Sequence, residues 1–409
     1  MNISEFIKDV PVYQELYGSL LDPNLTLNDL KKLPELSKKH VSKNFPNNWM
    51  TTGLKKAVDE EDYEFMTTSG TTDDRMMLIR PKNWWFEVEK RLYSYLKKII
   101  PEYTDMQSKA ILTTAVCSNT LCYKEVPPFE KRIVNGILHL NITQDPNKWT
   151  KEDIQRMVDE IDEFKPQCFQ ADPVYLSVFF KLLKKYNVKL PDYKPKCLIL
   201  TYEFCPKKCL EIIRSFWDIP IHSIYGTTEV GFIFYQCSKG NFHWMDDETY
   251  LNFKPIENKP NVFELLVTSF RNPYMPFMKY NTRDLVYLDP DSKCSCSDSN
   301  LFIKQFMGRS KDITYSASNK VITLGDIDNQ LSKLENNILA YKLDFNYDKK
   351  LIFRFTSFDD KDLKSDQLNE IKTTLNDLYE NLYEIELIRE EEILPAPSGK
   401  FDIIERKSL

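Results

Sequence analysis

The sequence predicts an α/β protein, on two observations. Between residues 110 and 225, short apolar runs that read as buried strands (AILTT at 110–114, CLILT at 197–201, and 219–225) alternate with amphipathic helical segments at 151–164 and 175–186. That alternation builds a sheet covered by helices. After Gly308 the pattern becomes hairpin, long charged helix, closing strand, which fits a separate α+β unit of about 100 residues.

The elements follow in order. The first residues place Ile7, Val10, Tyr13 and Leu16 at helical spacing, and the proline of DLKKLPELSKKHV separates short helices. A short strand at 76–80 leaves a hydroxyl-rich loop, and Pro81 opens a helix. One stripe of that helix carries Trp84, Trp85, Val88, Leu92, Tyr95 and Ile99, read as packing against a sheet. A helix through Ile213 follows the 197–201 strand. Strand-rich segments follow at 262–269 and 277–288. Beyond them a hairpin is expected from 339–345 and 351–358, a helix over 361–382, and a last strand over 383–389.

Composition limits the function. The 409 residues carry a net charge of −6, with 42% hydrophobic and 28% charged residues. An acidic surplus argues against a general nucleic-acid binder. No apolar run approaches the length that spans a bilayer, and the N-terminus lacks a basic start followed by an apolar block. No membrane partner is expected, and cytoplasmic residence is. Nine cysteines in a chain this long do not form a disulfide scaffold, and Cys117, Cys168 and Cys197 read as reduced thiols.

Chemistry concentrates in a few short segments. TTSGTTDDR gathers the hydroxyls of Thr67, Thr68, Ser69, Thr71 and Thr72 around Gly70, with Arg75 at its edge. A glycine turn lined by hydroxyls and amides suits phosphate oxygens, although such clusters are also ordinary loops. It is not a Walker loop, since no Gly-Lys-Ser/Thr follows. Downstream come Tyr225-Gly226-Thr227-Thr228-Glu229, Tyr280-Asn281-Thr282-Arg283-Asp284, Gly308-Arg309-Ser310-Lys311-Asp312 and Pro397-Ser398-Gly399-Lys400.

In this order, across nearly the whole chain, the segments resemble those of the adenylate-forming enzymes: acyl-CoA synthetases, adenylation domains and luciferases. MKYNTRDLVYLDP with the Cys-x-Cys after it looks most like the phenylacetate–CoA ligase branch. The resemblance implies a large N-terminal α/β domain with distorted sheets over 1–307. It also implies a small mobile C-terminal α+β lid domain over 308–409 that carries Lys400. The implied reaction is attack of a carboxylate on the α-phosphate of ATP, giving an acyl-adenylate and pyrophosphate, then transfer to a thiol. The thiol would belong to CoA or to the phosphopantetheine of a carrier protein.

The implied roles answer the charge that this reaction must neutralise. The hydroxyl loop would hold the β- and γ-phosphates, Tyr225 would face adenine, and Gly226 and Thr227 would line the nucleotide. Thr228 would bond the α-phosphate and Glu229 would help hold Mg²⁺. Asp284 would accept from the ribose hydroxyls, and Arg309 would anchor ribose or phosphate. Lys400 would reach the bridging oxygens, and Lys311 would be the hinge. The acid would sit near 172–179, where Phe169, Tyr175 and Phe179 suit an aromatic or apolar substrate.

Three departures from the family pattern stand out. Asp73-Asp74 follow the hydroxyl loop, Thr201-Tyr202 replace two small residues before Glu203, and 316–319 (SASN) lacks a glycine near the expected thiol tunnel. They keep two alternatives open: a degenerate adenylate-binding regulator without turnover, and an amide-forming ligase.

Cys237, His243, Cys294 and Cys296 form a Cys-x5-His and Cys-x-Cys set. Thiolates with one imidazole suit tetrahedral Zn²⁺ in a closed structural site; the alternative is two unrelated groups of reduced thiols. Comparable sets occur in some relatives on the phenylacetate ligase branch, as the resemblance implies.

Overall fold

The computed structural model describes residues 2–68, 75–115, 127–245, 248–296, 298 and 300–406. The chain divides into two compact units, residues 1–96 with 224–305 and residues 97–223 with 306–409. These boundaries cut the chain differently from a division at 307/308: the C-terminal hundred residues share a unit with the middle of the chain.

In the first unit, helices Ser4–Ile7 and Pro11–Tyr17 are separated where Pro11 starts the second at its first turn. Tyr13 ties this helix to the last long strand: its hydroxyl donates to the Pro276 carbonyl at 2.6 Å and accepts from Met278 N at 2.8 Å. Three antiparallel strands, Thr249–Pro255, Val262–Ser269 and Phe277–Tyr287, form one sheet. The last is irregular, with register shifts against its neighbour and Lys279 and Arg283 at positive φ. A hairpin of Glu64–Thr67 and Met77–Arg80 frames the hydroxyl loop. Helix Trp84–Ile99 buries Trp84, Val88, Leu92 and Leu96, so Tyr95 and Ile99 lie beside the buried stripe rather than in it. Residues 224–227 pair antiparallel with Gly231–Gln236, followed by Phe242–Trp244 and Phe302–Ile303.

In the second unit, parallel strands run in the order Ile137–His139, Lys109–Leu112, Cys168–Ala171, Cys197–Leu200 and residues 221–223, with Ile133–Val134 antiparallel at the edge. Helix Lys151–Phe164 starts at a Thr150–Asp153 capping box and ends where Lys165 turns left-handed. Helix Pro173–Tyr186 starts two residues earlier than the apolar pattern suggests, because Asp172 caps it and Pro173 occupies its first position. Phe169, Tyr175 and Phe179 are fully buried and pack among Trp149, Phe180 and Trp217. They are core rather than the lining of an acid pocket.

The C-terminal segment adds a four-stranded sheet in the order Glu384–Arg389, Lys350–Ser357, Ile338–Phe345, Ile404–Arg406. Its helix is Ser365–Tyr379, shorter at both ends than 361–382. The sheet keeps its own core around Leu343, Leu351, Phe353 and Ile371, while Leu339, Ala340 and Ile393 join the core of the parallel sheet.

Candidate functional site

The first unit brings two of the expected nucleotide segments together. Tyr225 lies on strand Ile221–Thr227, and its phenol donates to Asp284 Oδ2 at 2.6 Å. Burial, then the Asp284 carboxylate, hold the Tyr225 phenol well above its ordinary value, so it stays a donor. The backbone beside Asp284 is strained, with Arg283 at φ +61, and Thr282 Oγ1 accepts from Asp284 N. That bulge turns Asp284 toward Tyr225 instead of leaving it in regular strand alternation. Glu229 is buried, and its Oε1 accepts from the Tyr280 hydroxyl at 2.8 Å. Two carboxylates, each oriented by a tyrosine, therefore mark this end of the unit.

Gly226 has a local cause. A Cβ there would lie 2.7 Å from the Gly231 carbonyl and 2.8 Å from Phe232 Cα, so the hairpin itself demands a glycine. Thr227 Oγ1 accepts from Val230 N and closes the turn, while Thr228 is half-buried.

Of the hydroxyl loop, Ser69, Gly70, Thr71 and Thr72 lie outside the described residues. Thr68 is buried and staples the base: its N donates to the Met76 carbonyl and its Oγ1 accepts from Met76 N at 3.0 Å. Thr67 and Arg75 are exposed on either side.

The cysteine–histidine set converges. Cys237 Sγ and Cys294 Sγ are 3.7 Å apart, Cys294 and Cys296 sulfurs 3.3 Å, and Cys296 Sγ lies 3.2 Å from His243 Nε2. All four donor atoms fall within 4.8 Å of one another. The edge of a zinc–thiolate tetrahedron is about 3.8 Å, so the set fits Zn²⁺. His243 is fully buried with its other nitrogen 3.3 Å from the Asn300 carbonyl, a partner that leaves Nε2 for a metal.

In the second unit, Arg309 is exposed just before the short Ser310–Asp312 turn, and Lys311 Nζ lies 3.7 Å from Asp402 Oδ1. Lys400 is held. Its Nζ donates to the Tyr202 carbonyl at 2.6 Å, and the next amide, Phe401 N, donates to Glu203 Oε2 at 2.9 Å. The Gly399 carbonyl accepts from the Tyr175 hydroxyl at 2.9 Å. Gly399 has φ +79, and a Cβ there would overlap Thr114 Oγ1 at 1.9 Å. Tyr202, which presents the accepting carbonyl, sits at φ +82, a strained conformation for a non-glycine residue. Sequence reasoning singled out Lys400 but missed its seat, Tyr202 with Asp172 and Glu203. The unusual tyrosine before Glu203 was the one available signal.

The fold is shared with solved acyl- and aryl-CoA ligases. The chain aligns over 99% of its length with 87% of a 2-hydroxyisobutyryl-CoA ligase in its postadenylation state with R3-HIB-AMP, at TM-score 0.73 and 12% identity. It aligns over 84% of its length with 66% of the anthranilate CoA ligase AuaEII in complex with anthranoyl-AMP, at TM-score 0.57 and 12% identity. In sequence it is 19% identical over 346 residues to Protein CapK of Staphylococcus aureus, covering 82% of this chain and 72% of that one. No family model matches. Among the described residues no helix is long and apolar enough to cross a membrane.

Proposed function

We propose that the protein activates a carboxylic acid with ATP as an acyl-adenylate and passes the acyl group to a thiol. The observation that carries this reading is Lys400. A lysine in a proline-, serine- and glycine-flanked segment is ordinarily solvated, yet this one lies 2.6 Å from a backbone carbonyl in a segment pinned on both sides. A compact ammonium held in place is what displacement of pyrophosphate from ATP requires, because charge builds on the phosphate and carboxylate oxygens in the transition state.

The other assignments follow the same chemistry. Tyr225 and Asp284 would bind adenosine, the Tyr225 ring offering a face and Asp284 its remaining acceptor capacity to ribose hydroxyls. Glu229, oriented by Tyr280, suits Mg²⁺, which favours carboxylate oxygen. When bound, Mg²⁺ would offset phosphate charge. Thr67, Thr68 and Arg75 border the loop proposed for the β- and γ-phosphates, Arg309 would anchor the nucleotide, and Lys311 would be the hinge of a C-terminal lid over 308–409. Zn²⁺ on Cys237, His243, Cys294 and Cys296 would be structural, since four protein ligands leave no open position. CoA or a carrier-protein phosphopantetheine would take the acyl group, in the cytoplasm.

The test is acid-dependent exchange of labelled pyrophosphate into ATP across a broad acid panel, with Lys400→Ala as control. The expected result is acid-dependent exchange that falls by about 100-fold or more in the variant at unchanged stability. Absence of exchange with every acid would favour a regulator that keeps the fold without turnover.

A further inference from the structure

Beneath the Lys400 segment lie two buried carboxyl groups to which the proposed chemistry gives no role. Asp172 is fully buried; its Oδ1 caps helix Pro173–Tyr186 by accepting from Val174 N at 2.9 Å and Tyr175 N at 3.2 Å. Its Oδ2 is buried without a hydrogen-bond partner. Glu203 mirrors it: Oε2 accepts from Phe401 N, and Oε1 is buried without a partner. The two carboxyl groups neighbour each other, so a proton on either one would supply the donor that both lack. If both were ionised, two like charges would meet and two buried acceptors would face no donor. One proton between them removes both faults.

We propose that Asp172 and Glu203 share a single proton and together form the seat that positions Lys400, so that seating the Lys400 segment takes up one proton. The role assigned to Lys400 rests on the activity proposed above; the shared proton does not. The charge count supports it: a singly protonated pair carries −1 and Lys400 carries +1, whereas a doubly ionised pair would leave a net negative charge in the interior. The strained Tyr202 backbone, which turns its carbonyl to Lys400, is held between these contacts.

Other groups around the pair do not supply the proton's partner. Lys400 faces it from the C-terminal segment and favours the ionised forms. The Cys205 and Cys209 thiols face it from the start of helix Lys207–Phe216, and burial pushes both up, Cys209 to about 12, so both stay neutral. Asp328 lies against those thiols and accepts from Lys207 N and the Tyr341 hydroxyl. The Tyr175 hydroxyl donates elsewhere, to the Gly399 and Gln144 carbonyls, and the Tyr202 hydroxyl accepts from Gln170 Nε2.

Burial raises Asp172 to about 6, and burial with the neighbouring Asp172 carboxylate holds Glu203 well above its ordinary value. Release of the segment admits water and so lowers both, and because burial is the largest cause this outweighs the loss of Lys400 and Phe401 N, which acts the other way. Seating is therefore favoured at low pH. Above about pH 6, and until the remaining proton leaves Glu203, the seated form holds one proton that the released form lacks, so its population falls by up to about tenfold per pH unit.

The experiment is hydrogen exchange of the Phe401 amide, followed by mass spectrometry from about pH 6.5 to about 8.5 and corrected for intrinsic rate, on the full chain without ATP or acid. Wild type should lose protection by up to about tenfold per pH unit. Asp172→Asn keeps the helix cap through Oδ1 and supplies an Nδ2 donor in place of the shared proton, so its protection should be flat within about twofold. Glu203→Gln exchanges donor and acceptor and carries the same prediction should Asp172→Asn fail to fold. A flat wild-type profile, or variants that retain the wild-type slope, overturns the proposal. Because no substrate is present, failure of pyrophosphate exchange with a normal wild-type slope removes the proposed activity and leaves the proton-sharing pair standing.

Discussion

Gly399→Ala tests whether the Lys400 segment must be seated for adenylation. An alanine at φ +79 takes a left-handed conformation that costs about 1 kcal/mol relative to glycine. Its Cβ would also fall 1.9 Å from Thr114 Oγ1 and 2.5 Å from Thr114 Cβ, an overlap that relaxes only by displacing the segment and costs a further ~1–3 kcal/mol. The sum, about 2–4 kcal/mol, corresponds to a loss of roughly 30- to 900-fold in the seated population. The assay is acid-dependent pyrophosphate exchange, with thermal unfolding alongside. Exchange should fall by that factor while Tm moves by less than about 3 °C, because Phe401 alone of residues 397–401 packs on a hydrophobic core and is only partly buried there. Thr114→Gly removes the overlapping atoms and should restore much of the loss in the double variant, leaving mainly the backbone cost. Additive effects of the two substitutions, or full exchange in Gly399→Ala alone, would refute this reasoning.

Three further outcomes follow from other parts of the molecule. Purified protein should contain about one zinc per chain, and Cys237→Ser should release it and lower Tm by about 5–10 °C, read by metal analysis and calorimetry. Tyr225→Phe removes the 2.6 Å bond to Asp284 and should weaken ATP binding by about 1–2 kcal/mol, seen as a raised KM for ATP with little change in kcat. Arg132→Ala strips the buried Glu160 of its forked partner and leaves it only the Arg156 contact, so denaturant unfolding should show a loss of about 3 kcal/mol.

Much of the fold was legible because local signals agreed with packing. Helix Lys151–Phe164 and strand Val262–Ser269 fall where the apolar pattern places them; the helix is additionally fixed by the Thr150–Asp153 box. Helix Ser365–Tyr379 is shorter than its charged pattern, because the chain enters through Lys364 bonded to Gln367 and leaves where Glu380 turns left-handed. Strands Gly231–Gln236, Phe242–Trp244 and Ile404–Arg406 went unread, their short apolar runs giving no period of their own; pairing with distant partners decides them. The cysteine–histidine set was readable from spacing and residue type, and its four donor atoms converge. The seat of Lys400 was not. Asp172 looks locally like an ordinary helix cap, and nothing in the sequence brings Glu203 or Tyr202 beside a lysine two hundred residues away. Phe169, Tyr175 and Phe179 misled for the opposite reason: an aromatic cluster reads alike whether it lines a cavity or fills a core.

In the proposed reaction a carboxylic acid cleaves ATP at its α-phosphate. Its most direct test is the product set from α-labelled ATP, Mg²⁺ and a mixture of organic acids, with and without CoA. Acid-dependent AMP and pyrophosphate are expected, with a labelled acyl-adenylate accumulating when CoA is withheld and disappearing in Lys400→Ala. Labelled ADP with free phosphate, or AMP formed equally without any acid, would contradict it.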